Sequence, residues 1–450
     1  MNIESRIRDG RMTGFQAVTV VICMIAIVSD GYDILATALT IPAMTQEWAV
    51  DPVLQGYLIS GSTAGMVIGS VGLAPLGDRF GRRPLSVIGQ ALITIGMAAA
   101  WLAPDYGLML AARVVTGVGI GAVTAVMAVI AAEYATRKWL GFTMALYSAG
   151  TGLGGFLAGM IAGQVIGAYG WKTMFLIGAI VNAAILVLCA TALPESVQYL
   201  AKGTRRDSLE RLNSLLRRMR REPIDALPAA AEQANVSMWG VLRMLLSKRL
   251  LTVSLLLAVG YCCLMFTMYV NLGWTPQLIT AATGDESLGL TFGTLAPFGG
   301  MVGGLLYGVV SLRLGNRLLT ILALGLGTIG SALLGLTLAM NSTMLWVPLV
   351  MAVGFGAAIG GFYALIPACY DTSIRSSAVG VQMGLGRLAA VFGPIVVGSL
   401  VMSGWPEAGV FFGIAALLLV ALVVTIPVRM TTAAAARTPV PLPSPAAAQG

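Results

Sequence analysis

The sequence predicts an all-α polytopic membrane protein whose twelve transmembrane helices form two pseudo-symmetric halves of six helices each. Of its 450 residues, 57% are hydrophobic and only 10% are charged, and the mean hydropathy is +0.87. A water-soluble domain carries about 25% charged residues, so this chain cannot cover itself with a surface suited to water. The 56 glycines agree with this, because small residues allow membrane helices to pack closely.

Twelve apolar runs are long enough to cross a bilayer core, which needs about 20 helical residues. They are expected at 15–39, 55–76, 86–103, 107–132, 141–167, 170–192, 250–275, 287–311, 318–339, 343–369, 376–402 and 406–427. An N-terminal bundle, 15–192, therefore follows a short segment, 1–14, and a C-terminal bundle covers 250–427. The first run is too long for the core of a signal peptide, so we interpret it as the first span.

The segment between the bundles, 193–249, is the one long polar connection in the sequence. It contains eleven Lys and Arg residues, and its stretch 205–221 is expected to form an amphipathic helix at the membrane surface. The tail, 428–450, is rich in Ala and Pro and has no means of forming a core. It is expected to be disordered.

The positions of the basic residues predict the orientation of the helices. If both termini lie inside, 24 of the 27 Lys and Arg residues fall in inner segments; the exceptions are Lys172, in an outer connection, and Arg113 and Arg387, within spans. Lys and Arg concentrate in cytoplasmic loops, so both termini are expected to be cytoplasmic. Topology thus explains the net charge of +8, and no nucleic-acid partner is expected.

Neither a metal site nor a cofactor is expected from the sequence. The five cysteines lie in apolar runs without the spacing of metal ligands, and the chain contains no histidine. Buried thiols of this kind behave as small hydrophobic residues. Because no nucleophile–base pair is recognisable, an enzyme is not expected. Without histidine, a group that exchanges protons near neutral pH is expected to be a carboxylate rather than a Lys, Tyr or Cys.

An internal repeat supports the division into two halves. Similar segments recur at an offset of 234 to 238 residues, pairing 74–83 with 308–317, 133–137 with 371–375, and 150–152 with 384–386. Two parallel repeats related by an axis along the membrane normal are one of the layouts of secondary transporters.

Charged loops at the cytoplasmic helix ends are candidates for gating. The loop after span 2 combines a carboxylate, arginines and a glycine: Asp78, Arg79, Gly81, Arg82 and Arg83. Such a loop can latch neighbouring helix ends and release them, and because Leu312 replaces the acid in the second copy, the first latch is expected to dominate. Glu133 with Arg137, and Asp371 with Arg375, are each four residues apart and are expected to form gate salt bridges.

Two carboxylates, Asp30 and Asp33, lie within the first span. Their spacing places them on one helix face, about 4.5 Å apart along the axis. Because two like charges in a poorly hydrated site do not ionise together easily, one of the two is expected to hold a proton, and the sequence leaves open which one. If span 1 ended before Asp30, both acids would lie at the membrane boundary, but the apolar run 34–41 argues against that.

These motifs resemble the major facilitator superfamily. The D-R-x-G-R-R loop at 78–83 resembles its signature loop, and 113–121 resembles its span-4 motif. Within the superfamily, D-G-Y-D at 30–33 resembles the D-G-[FY]-D motif of the aromatic acid:proton symporter family. Glu133-Tyr134 and Trp274-x-Pro276 are similar to other segments of that family. Tyr370-Asp371-Thr372 departs from it, since Y-P-T is usual there.

The resemblance implies a multi-pass protein of the bacterial inner membrane that takes up small aromatic acids, such as benzoate, hydroxybenzoate or gentisate, together with protons. Its partners would be the aromatic carboxylate, protons and the lipid bilayer, and a monomer is the expected state. Alternatives are a proton symporter of aliphatic or sugar acids and a proton-linked drug exporter. The segment 150–155 lacks the proline of the exporters' span-5 motif, which favours uptake. A membrane sensor without transport is the alternative outside this class.

Two arginines within spans are candidate ligands of the substrate carboxylate, which a guanidinium can bind bidentately. Arg387 lies about 18 Å beyond Arg375 by helix rise, near the membrane midplane. It could instead pair internally with a span-1 acid. Arg113 could bind substrate or serve as the partner of such an acid. Tyr32 and Asn271 are further substrate-binding candidates, as an aromatic ring and a polar amide within the spans.

Overall fold

A computed structural model describes residues 7, 9–203, 207–227, 245, 247, 250–311, 313–340, 344, 346–370 and 375–428. Within these ranges twelve helices are long and apolar enough to cross a membrane, which confirms the predicted fold class. They are α1 (Gly14–Trp48), α2 (Pro52–Ile68), α3 (Arg82–Leu102), α4 (Tyr106–Tyr134), α5 (Arg137–Tyr169), α6 (Lys172–Thr191), α7 (Leu251–Thr283), α8 (Glu286–Val310), α9 (Asn316–Ala339), α10 (Trp346–Ala368), α11 (Arg375–Met402) and α12 (Glu407–Thr425).

The main differences from the predicted spans lie at the ends of α1, α2 and α7. Helix α2 is a regular α-helix only to Ile68 and continues as a π-helical turn (Gly69–Leu73) and a 3-10 turn (Ala74–Leu76). Helices α1 and α7 continue to Trp48 and Thr283, whereas the apolar runs ended at 39 and 275. Hydropathy marks the part of a helix that lies in the hydrocarbon core, but the hydrogen-bonded helix continues into the interface. The internal prolines, Pro42 and Pro276, do not end these helices, as is common within membranes.

Each half of the chain has its own hydrophobic core, and the two halves repeat one packing scheme. In the first half α1 packs on α5, α2 on α4, and α3 on both α4 and α6. In the second half α7 packs on α11, α8 on α10, and α9 on both α10 and α12. The duplicated sequence therefore folds into two equivalent bundles.

The halves meet through α2 against α11 and α5 against α8, two contacts that the repeat relates to each other. We call the end where α1 begins and α2 ends the basic end, after Arg79, Arg82, Arg83 and Arg137. The opposite end is the acidic end, after Glu47, Asp51, Asp105 and Asp285. The tightest contacts lie toward the acidic end, where a Cβ on Gly56 would come within 2.6 Å of the Pro394 carbonyl oxygen. Nearer the basic end, a Cβ on Gly380 or Gly384 would have no described atom within 4 Å.

The glycine of the D-G-Y-D segment lies where α1 crosses α5. A Cβ on Gly31 would overlap the carbonyl group of Thr151, and one on Gly154 would overlap that of Val28. Because these two glycines have no side chain, the backbones of α1 and α5 can approach closely at the crossing. The motif thus has a packing function beside its acids.

Replacing Gly31 with alanine is expected to separate α1 from α5. An added methyl in a tight contact costs about 1–3 kcal/mol, so the detergent-solubilised Gly31→Ala protein should unfold at a lower temperature than the wild type. Gly163→Ala on α5 is the matched control, because a Cβ there meets no atom within 4 Å. Equal unfolding temperatures for the two variants would contradict the packing argument.

The central segment contains the expected amphipathic helix, which the structure places at Ser208–Arg218. Leu212, Leu215 and Leu216 form its buried face, and the Arg218 guanidinium lies 4.9 Å from the ring centroid of Phe15. This helix therefore packs against the start of α1 at the basic end. The tail predicted to be disordered lies, from residue 429 onward, outside the described residues.

Candidate functional site

Asp33 forms a buried ion pair with Arg113 of α4. Arg113 Nη1 donates to Asp33 Oδ1 at 2.8 Å and Nη2 donates to Oδ2 at 2.6 Å, and both side chains are fully buried. Arg113 Nη2 also donates to the Ser62 hydroxyl at 2.6 Å, and the guanidinium lies 5.8 Å from the ring centroid of Phe175. Of the two alternatives for Arg113, the pairing with a span-1 acid is the one present in the structure.

Asp30 is also buried, at 2% exposure, but it forms no ion pair with any described residue. Its Oδ2 lies 3.1 Å from the Thr124 hydroxyl, and its Oδ1 has no hydrogen-bond partner among the described residues. The Thr124 hydroxyl is also 2.7 Å from the carbonyl oxygen of Ile120, and the Tyr147 hydroxyl donates to the Thr124 carbonyl at 2.7 Å. A hydroxyl has one hydrogen, so Thr124 can donate to Ile120 or to Asp30.

The two acids of one helix face therefore have different surroundings, although both contact α4. Asp33 is paired with a guanidinium, which suits the ionised form. Asp30 has at most one weak donor, and a protonated Asp30 could itself donate to Thr124 while Thr124 donates to Ile120. The arrangement separates a charged carboxylate from one suited to carry a proton.

Tyr32, a predicted substrate-binding residue, lies on α1 where this helix packs against α6. Its ring is 8% exposed and its hydroxyl donates to the carbonyl oxygen of Met174 at 2.9 Å. Asn271, 6% exposed on α7, accepts a hydrogen bond of 2.7 Å from Thr275. Consecutive side chains of a helix point in different directions, so Tyr32 cannot share the face of its acidic neighbours.

Arg387 lies half-buried on α11 and forms no ion pair with any described residue. The adjacent Gly386 packs against the Tyr261 ring of α7, which a Cβ on this glycine would overlap. Tyr363 of α10 lies 6.5 Å from Tyr261 between ring centroids and is 46% exposed. Arg387 thus has no ion-pair partner among the described residues, and its neighbour Gly386 lies against a phenol ring of the second half.

The loop after α2 joins the ends of α4 and α6 in one network at the basic end. The Arg82 guanidinium contacts Asp78, Glu133 and the Ser196 hydroxyl, with 3.3 Å to the Asp78 carboxylate and 3.0 Å to Ser196. Glu133 also accepts hydrogen bonds from Ser196 at 2.8 Å and from the Val197 amide at 2.9 Å. Glu133 is thereby almost fully surrounded by donors.

Glu195, which follows α6, caps the start of α3. Its Oε1 accepts from the backbone amides of Arg82 at 2.8 Å and Arg83 at 3.1 Å. Gly81 precedes them with φ +109°, a conformation that other residues rarely adopt. Arg83 donates to the carbonyl of Ala190, and the Arg79 guanidinium lies 5.3 Å from the ring centroid of Phe80. The loop is therefore attached to the end of α6 as well as to α4.

The predicted Glu133–Arg137 salt bridge is wrong. Glu133 pairs with Arg82, while the exposed Arg137 lies 3.9 Å from the carboxylate of Asp9. A spacing of four residues brings side chains together only within one continuous helix, and here α4 ends at Tyr134 and a new helix begins at Arg137. In the second half, Asp371 and Leu312 lie outside the described residues, and Arg375 donates to the carbonyl of Tyr370 at 3.2 Å.

Sequence reasoning missed Thr124, Ser62, Glu195 and Ser196. Thr and Ser are common in membrane helices, so no sequence pattern distinguished Thr124 and Ser62. Glu195-Ser196 directly follows the last apolar residues of span 6, at the end that faces the loop after span 2. The signal that could have found Glu195 is an acidic residue at the same end of the bundle as a basic loop.

Arg82 and Arg137 are expected to differ sharply in importance. Arg82→Gln removes a charged partner from the buried Glu133, and a hydrogen bond to a charged group contributes about 1.5–3 kcal/mol. We expect the detergent-solubilised Arg82→Gln protein to unfold at a clearly lower temperature than the wild type. Arg137→Gln should leave the unfolding temperature nearly unchanged, because an exposed ion pair contributes only about 0–1 kcal/mol. Thermal unfolding of both variants tests this, and equal losses would contradict the assignment of the Glu133 partner.

The fold and these contacts can be compared with known proteins. The sequence matches the model of the Major Facilitator Superfamily over residues 21–363 and again over residues 257–448. The chain belongs to the major facilitator superfamily.

Relatives within the superfamily cover nearly the whole chain. The benzoate transport protein of Acinetobacter baylyi is 26% identical over 422 residues, covering 90% of this chain and 88% of that protein. The 4-hydroxybenzoate transporter PcaK of the same species is 26% identical over 415 residues, covering 90% and 89%. The xylose transporter XylE from E. coli, in a partially occluded inward open conformation, superposes with a TM-score of 0.72 at 16% identity, covering 92% of this chain and 99% of that one. That likeness concerns the major facilitator fold alone.

Proposed function

We propose that this protein takes up small aromatic acids, such as benzoate, hydroxybenzoate or gentisate, together with protons across the bacterial inner membrane. The observation that carries the proposal is the pair of acids on α1. One is held by Arg113, and the other, Asp30, is buried with no ion-pair partner in the part of the chain that the structure describes. The relatives named as transporters of benzoate and 4-hydroxybenzoate support the choice of substrate class.

Asp30 is the proposed proton carrier. Its protonated form can donate to Thr124, which lies 3.1 Å away, whereas its ionised form would leave one oxygen without a donor. A buried charge without a partner is costly in a membrane, so deprotonation of Asp30 favours a conformation in which water reaches it. The fixed Asp33–Arg113 pair then maintains the contact between α1 and α4 in both conformations.

Arg387 is the proposed ligand of the substrate carboxylate. It is half-buried within the second half and lacks an ion pair among the described residues. Binding of an anion there removes the unpaired charge and lowers the cost of closing the cavity. Phenol rings beside it, including that of Tyr261, can stack against an aromatic ring. A neutral proton site and a neutralised arginine together allow the loaded protein to change conformation.

The basic end is the proposed cytoplasmic end, with both termini inside, since basic residues concentrate there. Toward the acidic end the halves are in contact, as at Gly56 and Pro394, and Gly380 has open space toward the basic end. Release to the cytoplasm would proceed from this conformation. In the opposite conformation the halves would close at the basic end and admit substrate from outside.

The test is uptake of radiolabelled benzoate, 4-hydroxybenzoate and gentisate into cells expressing the protein, with and without a protonophore. Accumulation that the protonophore abolishes is the expected result, and cells with the empty vector are the control. Uptake that persists with the protonophore would contradict proton coupling. No accumulation of any aromatic acid, with the protein present in the membrane, would favour aliphatic or sugar acids as substrates, or export.

A further inference from the structure

Thr37 of α1 carries a buried hydroxyl that nothing in the described chain satisfies. The residue is 3% exposed, and its Oγ1 has no hydrogen-bond partner among the described residues. Threonines in membrane helices commonly donate to the carbonyl four residues earlier, as Thr40 does to Ala36 at 2.8 Å. Because a buried hydroxyl without a partner costs about 1–3 kcal/mol, a group from outside the chain is the expected partner of Thr37.

Thr37 borders a narrow cavity between the two halves of the protein, formed by α1 and α2 on one side and α7 on the other. Ile59 and Leu272 contribute apolar walls, and Thr63 and Tyr269 contribute further hydroxyls. The cavity has a volume of about 20 Å³, which is room for one water-sized group. It can therefore hold a single hydroxyl, but it has no room for an aromatic ring or a carboxylate.

The cavity adjoins the Asp33–Arg113 pair and lies along the helix that contacts the neighbour of Arg387. Ser62, which lines it, accepts a hydrogen bond from Arg113 at 2.6 Å. Tyr269, which lines it on the side of α7, is about two helical turns from Tyr261, against whose ring Gly386 packs. A ligand whose carboxylate binds Arg387 can therefore extend along Tyr269 and direct a ring substituent toward Thr37.

We propose that Thr37 is a specificity residue that binds a ring hydroxyl of the substrate. The inference rests on the proposed function and deepens it: the preferred substrate is a hydroxylated aromatic acid, with its hydroxyl in the cavity between α1, α2 and α7. Unsubstituted benzoate leaves the Thr37 hydroxyl unpaired and binds less tightly. A charged second substituent is excluded by the apolar walls.

Competition for uptake tests the proposal. Uptake of labelled benzoate is measured against unlabelled benzoate and 2-, 3- and 4-hydroxybenzoate, and the ratio of half-inhibitory concentrations gives the preference for each hydroxylated acid. The wild type should prefer one hydroxybenzoate, and Thr37→Val should reduce that preference about five- to tenfold, the effect of one lost hydrogen bond. Thr37→Ser retains a hydroxyl and should preserve it.

Thr40→Val is the matched control. Thr40 is fully buried on the same helix, but its hydroxyl is satisfied by the helix itself, so the preference should not change. If Thr37→Val does not reach the membrane, Thr37→Ala removes the same hydroxyl with a smaller side chain. A preserved preference in the hydroxyl-free variant would overturn the proposal and leave only water in the cavity. A wild type that transports benzoate and all three hydroxybenzoates equally overturns it as well, whereas one that transports none of them overturns the proposed function.

Discussion

Asp30→Asn is expected to abolish accumulation of substrate against its gradient, with a loss of about 100-fold or more, while exchange of substrate across the membrane continues. Asparagine imitates the protonated carboxyl in shape and charge, so the protein can still bind substrate and change conformation when loaded. It cannot release a proton, so the proton gradient no longer drives transport. The decisive comparison is concentrative uptake against counterflow in proteoliposomes preloaded with unlabelled substrate.

Thr124→Val is the companion variant for this experiment. It removes the hydroxyl 3.1 Å from Asp30 but leaves the carboxyl itself. We expect proton-coupled uptake to become slower but not to be lost, because the variant changes the surroundings of the Asp30 carboxyl and keeps the carboxyl itself. Loss of both uptake and counterflow in Asp30→Asn, with normal protein level and unfolding temperature, would indicate a role in substrate binding. Retained concentrative uptake would exclude Asp30 as the proton carrier.

Arg113→Met is expected to destabilise the protein severely. It leaves the carboxylate of Asp33, which is fully buried, without its guanidinium. Breaking a buried pair by removing one partner costs about 3–5 kcal/mol, so little Arg113→Met protein should reach the membrane, and any that does should unfold at a clearly lower temperature. Fluorescence-detected size-exclusion chromatography after heating measures both quantities.

The double variant Asp33→Leu with Arg113→Met tests whether the unpaired charge of Asp33 causes the instability of Arg113→Met. Replacing both members by apolar residues removes the unpaired charge, and such replacements are often neutral for stability. We therefore expect the double variant to regain protein level and unfolding temperature relative to Arg113→Met. If the double variant is as unstable as the single one, the pair is not the source of the instability.

The two predictions distinguish acids that are only three residues apart. Loss of Asp30 should affect coupling and leave the fold intact, whereas removal of the Asp33 partner should affect the fold first. Because Arg113 binds Asp33 with both nitrogens, its charge is already compensated. Asp30 has no ion-pair partner among the described residues, and it is the acid that we propose to change its charge state during transport.

The sequence by itself determined the fold class, because each membrane span must supply about 20 apolar residues and therefore marks its own position. It also located the acids of α1, since carboxylates within an apolar run are conspicuous. The repeat was readable from matching segments such as 74–83 and 308–317. These are local properties of the chain, and they need no knowledge of which helices are neighbours.

Only the tertiary structure decided which charged groups meet. Asp33 and Arg113 are 80 positions apart, and no sequence signal indicates their pairing, which depends on the crossing of α1 and α4. Glu133 pairs with Arg82 and not with the predicted Arg137, because the helix ends at Tyr134. The four-residue spacing rule holds only within one continuous helix. The unsatisfied hydroxyl of Thr37 likewise became visible only when three helices enclosed it, since burial is a property of the packed bundle.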